Sequence, residues 1–227
     1  SGKSSLTLEI ALRTAREHGF KYLIFSPESS LAVNLKRLVE KYCQKPFDIM
    51  FHNRADETEV LEAIEFIHDH FLFIDKTNDS PDIDWLLERA RLVHEEFDID
   101  GLILDPYNEI NPERNNIRED EHISLLISKI KRFNRETNTF TFIVAHPTKQ
   151  IRGADGKFSV NSLYDVSGSA HWNNKTDVGI IVTRDYENHC TNVRIAKIRE
   201  HQVQGEVGEC TISWNNSTKC FEDISAH

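Results

Sequence analysis

From residue 5 onward the chain alternates two hydrophobic rhythms. Residues 5–18 (SLTLEIALRTAREH) carry helical periodicity, and Gly19 ends the run. Residues 20–25 (FKYLIF) form a short apolar block suited to a strand, and helical patterns follow over 31–42 and 57–70. The alternation continues with apolar 71–75 (FLFID), helical 83–97, apolar 101–105 (GLILD), helical 120–136 and apolar 140–145 (FTFIVA). Strands that are apolar almost throughout, separated by helices, predict an α/β fold with a mostly parallel central sheet covered on both faces. After 178–183 (VGIIVT) the rhythm changes. Residues 192–198, 209–214 and 219–224 follow one another without helices and predict an antiparallel C-terminal extension of that sheet. With no internal repeat and no low-complexity linker, residues 1–227 are expected to form a single domain.

Composition narrows the function classes. At 227 residues the chain can bury a sheet on both faces. A formal net charge of −10 and a pI of about 5.6 argue against a protein that wraps nucleic acid over its outer surface. A grip by a few basic loops stays open. No apolar run approaches the roughly 18 residues of a membrane span, and no signal peptide is visible, so no membrane partner is expected. The four cysteines are dispersed without a C-x-x-C pair, which predicts reduced thiols in a cytosol-like compartment. His68-x-His70 has metal-chelating spacing, but a solvated helix end is the simpler reading.

The chemistry begins at the front. Gly2-Lys3-Ser4 matches the closing half of the pattern G-x-x-x-x-G-K-[ST], in which backbone N–H groups and a helix N-terminus hold phosphates, the Lys reaches the β/γ oxygens and the hydroxyl binds Mg²⁺. The first glycine and the strand feeding it would lie upstream of Ser1, so the chain is expected to be truncated within that loop. A tripeptide is a weak signal by itself. In an open α/β sheet, however, ligands bind beyond the carboxyl ends of the strands, and those ends supply the test. The strand over 20–25 delivers Ser26-Pro27-Glu28, where a carboxylate could activate a water or simply be solvated. The strand over 101–105 ends in Asp105, in the form of a Mg²⁺-supporting acid, or of an Asp capping a strand before Pro106. Asp75 is taken as structural.

The strand over 140–145 leads into His146-Pro147-Thr148-Lys149, where a polar side chain could touch a γ-phosphate. The following stretch, 149–164, carries Lys149, Arg152 and Lys157 with Gly153 and Gly156, a composition suited either to a phosphodiester backbone or to plain solvation. Residues 165–177 (DVSGSAHWNNKTD) contain small residues that would let backbone amides approach phosphate oxygens. Late in the chain, Lys197 and Arg199 leave one side of a strand at i, i+2. They could reach a nucleotide on a neighbouring subunit, or they could be charges guarding a sheet edge.

Taken in order, G-K-S, S-P-E, L-I-L-D-P-Y, V-A-H-P-T-K, D-V-S-G-S-A and K-I-R resemble the RecA-like motor domain of DnaB-type replicative helicases. The H-P-x-K and S-G-S-A wording is similar to the phage primase–helicases and the Twinkle group of mitochondrial replicative helicases. The resemblance runs from Gly2 to about Trp214 and implies a RecA-like P-loop NTPase fold. It further implies that Gly2, Lys3, Ser4 and Ser5 bind the nucleotide, ATP or another NTP or dNTP, with Mg²⁺ held by Ser4 and Asp105. Glu28 would be the base for the attacking water and His146 a γ-phosphate sensor where the bacterial branch usually has Gln. Lys197 and Arg199 would act in trans, and Arg184 and Trp214 would sandwich the base. Single-stranded DNA would be held by Lys149, Arg152, Lys157 and the Ser167-Gly168-Ser169 backbone. A homo-oligomer is implied, a hexameric ring, with primase or polymerase as further partners and a phage or bacterial cytoplasm before a mitochondrial matrix. The expected activity is ATP-dependent DNA unwinding; a RecA/RadA-type recombinase ATPase and a non-hydrolysing scaffold or loader are the alternatives. The family's upstream linker helix and primase or zinc-binding region have no counterpart in these residues.

Overall fold

The computed structural model of the chain describes residues 2–75, 81–110, 118–146, 151–152, 158–159, 162–166 and 169–224. The first layer of helices comprises α1 (Lys3–His18), α2 (Leu31–Cys43) and α3 (Glu57–His70), and the opposite layer contains α4 (Ile83–Phe97) and α5 (Glu119–Thr137). Between them lie β1 (Tyr22–Phe25), β2 (Phe71–Ile74), β3 (Gly101–Leu104) and β4 (Phe140–Ile143), all parallel in the order β2-β1-β3-β4. Local chemistry sets the boundaries. Gly19 takes a left-handed conformation (φ 71°) and its N–H caps Ala15 O, while Asp56 and Glu59 form a reciprocal capping box at the start of α3.

Every residue of β1 is buried, and its side chains alternate between two cores. Tyr22 and Ile24 join Leu8, Ala11, Leu12 and Ala15 of α1 with Leu38 and Ile67 of α2 and α3. Leu23 and Phe25 join Leu86, Ala90, Leu126, Ile130 and Phe133 of α4 and α5. Burial on both faces is why this strand has no polar alternation. Gly101 is required by packing: a Cβ there would lie 2.6 Å from the Tyr22 ring.

The later elements are β5 (Ile151–Arg152), β6 (Phe158–Ser159), α6 (Ser169–Lys175), β7 (Val178–Asp185), β8 (Cys190–Ile198), α7 (His201–Gln204), β9 (Gly208–Asn215) and β10 (Cys220–Asp223). β7 to β10 are antiparallel, as the sequence predicts, but among the described residues they form their own four-stranded sheet, ordered β10-β9-β8-β7. Asp185 accepts from the N–H groups of Glu187 and Asn188, and His189 adopts φ 53°, closing a tight connection that forces β7 to pair antiparallel with β8.

A buried ionic cluster fixes this second sheet to the first helix layer. Glu9 of α1 accepts from Lys41 of α2 at 3.0 Å, from Arg13 at 2.9 Å and from the backbone N–H of Phe221 in β10 at 3.0 Å. Lys41 also donates to Lys219 O at 3.1 Å. The side chains of Lys41 and Glu9 are only 2% and 5% exposed.

Candidate functional site

Three strand ends and one helix start converge above the parallel sheet. The register Phe25↔Leu104↔Ile143 brings the C-terminal ends of β1, β3 and β4 level, and the Asp105 N–H donates to Phe25 O while the Val144 N–H donates to Leu104 O. Glu28, Asp105 and His146 emerge from those three ends. Lys3 opens α1, whose first turn holds no acidic residue and whose N-cap, Gly2, brings no side-chain hydrogen bond. Gly2 sits at φ 86°, a conformation that side chains disfavour.

Lys3 is the hub. Its Nζ lies 3.4 Å from Nδ1 of His146, and the carboxylates of Asp105 and Glu28 act electrostatically on it. Burial lowers the Lys3 pKa from its ordinary value, and Asp105 and then Glu28 pull it back up without cancelling that effect. An ammonium can only donate, so Nδ1 of His146 accepts and the ring proton belongs on Nε2. Asp105 is buried, whereas Glu28 and His146 are exposed at the mouth. Ser4 and Ser5 occupy the next two positions of α1. Beside Ser5 a cavity of about 210 Å³ is lined by Arg37, Glu40, Lys41, Trp214 and Lys219.

Trp214 and Arg184 lie at one end of the second sheet and on one face of it, since Arg184↔Thr191↔Ile212 is a cross-strand row and Trp214 is two residues beyond Ile212. The Trp214 ring lies 4.7 Å beneath Lys41 Nζ and packs edge-on against Phe221 at 5.2 Å. Arg184 lies over the ring of Tyr186, which is 74% exposed. Sequence reasoning missed Tyr186, Arg37, Lys41 and Lys219. An exposed tyrosine two residues past Arg184 was the one available signal.

At the other end of β8, Lys197 and Arg199 turn to the same side and reach the last turn of α6. Lys197 Nζ donates to Asn173 O, and Arg199 donates to Asn174 O at 2.7 Å and pairs with Asp177 at 3.0 Å. Burial, with Arg199 second, lowers the Lys197 pKa. Among the DNA candidates, Lys149, Lys157, Ser167 and Gly168 lie outside the described residues, Arg152 is in β5 and Ser169 begins α6. The small-residue segment, read from sequence as letting backbone amides approach phosphate oxygens, is helical from Ser169, and Trp172 of this helix is buried edge-on against Tyr107 at 4.9 Å.

His70 stacks on Phe66 at 4.2 Å and its Nδ1 lies 2.9 Å from Phe66 O, so His68-x-His70 is a helix end, and Asp75 is exposed. All four cysteines are free. No helix among the described residues is long and apolar enough to cross a membrane.

A parallel sheet sandwiched by helices, with a helix-opening lysine facing carboxylates from two adjacent strand ends, defines an α/β domain of the RecA-like P-loop type. More narrowly, the chain belongs to the DnaB-like helicase C-terminal domain family, whose sequence model matches residues 1–223. It is 33% identical over 234 residues to the Twinkle homolog protein, chloroplastic/mitochondrial, of Arabidopsis thaliana, an alignment covering 98% of this chain and 32% of that protein. The chain therefore spans about a third of that relative's length. Two solved structures share the fold at 18% identity and a TM-score of 0.80, each matched over 98% of this chain. One is an ATPase domain, covered to 81%; the other, covered to 56%, is a DnaB-like replicative helicase described with its interactions with primase.

Proposed function

We propose that residues 1–227 form one motor domain of a ring-forming replicative DNA helicase, which hydrolyses ATP or another NTP to move along single-stranded DNA and unwind duplex. The observation that carries this reading is the convergence of Lys3, Glu28, Asp105 and His146 at the carboxyl ends of adjacent parallel strands. Membership of the helicase family favours it over a recombinase or a scaffold.

The side chains fit a nucleotide with Mg²⁺. The start of α1 lacks a side-chain cap and an acidic first turn, leaving its N–H groups and its positive end suited to phosphate. A polyanion bound there would favour the ammonium form electrostatically and so offset the desolvation that lowers the Lys3 pKa. Ser4 and Asp105 would hold the metal, which supplies charge neutralisation on the phosphates. Lys3 would leave His146 for the β/γ oxygens, and His146 would present Nε2–H to the terminal phosphate. Glu28 would orient a water for in-line attack and accept its proton. Arg184, Trp214 and Tyr186 would bound the base. Lys197 and Arg199 would act on the nucleotide of the adjacent subunit in a homo-oligomer, a hexamer by family resemblance. The segment carrying Lys149, Arg152, Lys157, Ser167, Gly168 and Ser169 would line the channel for DNA, so an acidic net charge is compatible with DNA binding. A primase is the expected protein partner.

The deciding experiment replaces Glu28 with Gln in the full-length protein. Nucleotide affinity should be nearly unchanged, while steady-state hydrolysis should fall at least ~10²-fold through loss of the base. Hydrolysis within a few-fold of wild type would remove Glu28 from the mechanism.

A further inference from the structure

Three cations converge on the C-terminal end of α6, and they come from two other elements. Lys131 of α5 donates to Lys175 O at 3.2 Å and to Asp177 at 2.6 Å. Arg199 pairs with the same Asp177 oxygen through Nε at 3.0 Å, and one of its terminal nitrogens donates to Asn174 O at 2.7 Å and Thr176 O at 3.4 Å. Lys197 donates to Asn173 O. The backbone repeats the connection, since the Arg199 N–H donates to Asp177 O at 2.8 Å. Lys175 in turn binds Ser124 and Ser128 of α5, so the end of α6 is itself anchored.

What matters is which edge of the guanidinium is held. The edge formed by Nε and one terminal nitrogen is held by its own chain, Nε by the ion pair with Asp177 and the terminal nitrogen by hydrogen bonds to carbonyls. Among the described residues, the other terminal nitrogen makes no hydrogen bond. The side chains of Arg199 and Asp177 are each about two-fifths exposed, so the pair lies at the surface. A free arginine side chain must be ordered before it can meet a phosphate; this one is ordered in advance.

We propose that Asp177 is a positioning residue for Arg199: it grips the inner edge of the guanidinium so that the outer nitrogen is presented to the nucleotide of a neighbouring subunit. The carbonyls sharing the grip are Asn174 O in the last turn of α6 and Thr176 O just beyond it, so the finger is tied to the helix that Ser169 opens. This rests on the trans-acting role of Arg199 given above.

The test compares Asp177→Asn, Asp177→Glu and Arg199→Ala in the full-length protein, measuring kcat and KM for NTP hydrolysis with and without single-stranded DNA, nucleotide affinity, and assembly by light scattering. Misplacing a catalytic group by about 1 Å costs on the order of 10²-fold. Asp177→Asn should therefore lower DNA-stimulated kcat by about 10- to 100-fold, with KM and nucleotide affinity within about 2-fold, a split that general destabilisation does not produce. Asp177→Glu keeps the charge but moves the carboxylate by one methylene, and should lose kcat in the same direction. Mixed with Lys3→Ala subunits, Asp177→Asn subunits should regain activity, because their intact phosphate loops would then face properly held fingers. Wild-type kcat in both Asp177 variants beside an inactive Arg199→Ala overturns the inference and leaves the trans role standing. Failure of both variants to assemble also overturns it, since the pair would then be structural. Full activity in Arg199→Ala overturns the trans role itself.

Discussion

Replacing Glu9 with Gln is the sharpest test of how the two sheets are joined. The substitution keeps the shape of the side chain and an acceptor for the Phe221 N–H, but it leaves the Lys41 ammonium, 2% exposed, without its counter-ion. Lys41 would retain only Lys219 O and the faces of Trp214 and Phe221, at 4.7 and 5.7 Å. Stranding one charge of a buried pair costs about 3–5 kcal/mol. In a chain of this size each kcal/mol moves Tm by about 2–4 °C, so a fall of about 12 °C is expected. Lys41→Met should cost less, about 2–3 kcal/mol, because Glu9 keeps Arg13 and the Phe221 N–H. Combined, the two changes remove both charges and should be milder than Glu9→Gln alone, since replacing a whole buried pair is often close to neutral. Urea unfolding followed by far-UV circular dichroism measures all three variants, with the m-value showing that the same surface is exposed. Glu9→Gln within about 1 kcal/mol of wild type, or a double variant weaker than either single one, would refute the account of a paired, desolvated cluster.

Two further expectations concern ligand binding. Polyphosphate binds the protonated form of Lys3, whose pKa is lowered by burial; nucleotide affinity should therefore weaken with rising pH earlier than it would for a solvated lysine. Titration calorimetry against pH checks this, and the same alkaline fall in Lys3→Met would refute it. Lys149→Ala should weaken single-stranded DNA binding and reduce the slope of log affinity against log salt by about one counter-ion, with basal hydrolysis little changed. An unchanged slope and intercept would mean that Lys149 is only solvated.

The parallel half of the fold was legible because burial on both faces leaves its mark on every residue of a strand. In 22–25 no position is free to be polar, and the same holds for 101–104. Once the strands are known to be parallel, their ends must lie side by side, which is why Glu28, Asp105 and His146 could be assembled with Lys3 before any geometry was available. The pairing of β7 was not legible from its own residues. Its run VGIIVT resembles the buried strands, but its burial alternates, with Val178 and Ile180 exposed and Gly179 and Ile181 buried, and only the turn beyond it fixes the partner. α6 was illegible because its helix depends on Trp172 packing against Tyr107, 65 residues earlier by number. Likewise Lys41 looks like any helix-surface charge until Glu9, on a different helix, is known to lie 3.0 Å away. Periodicity records the environment of one element; ion pairs between elements leave no periodic trace.

β8 connects the two ends of the proposed machinery within a single subunit. Its first residues, Cys190 and Thr191, pair with Asp185 and Arg184 on one side and Ser213 and Ile212 on the other, next to Trp214 and the cluster that ties β10 to α1. Its last residues carry Lys197 and lead into Arg199, both held on α6. At about 3.3 Å per residue, nine residues of strand span roughly 26 Å between first and last Cα, a distance that a side chain cannot bridge. With the base contacts proposed for Arg184 and Trp214, this separation is the geometric support for the proposal that Arg199 serves a neighbouring subunit's nucleotide. The Glu9–Lys41 cluster fixes the near end against α1, and Asp177 fixes the far end against α6.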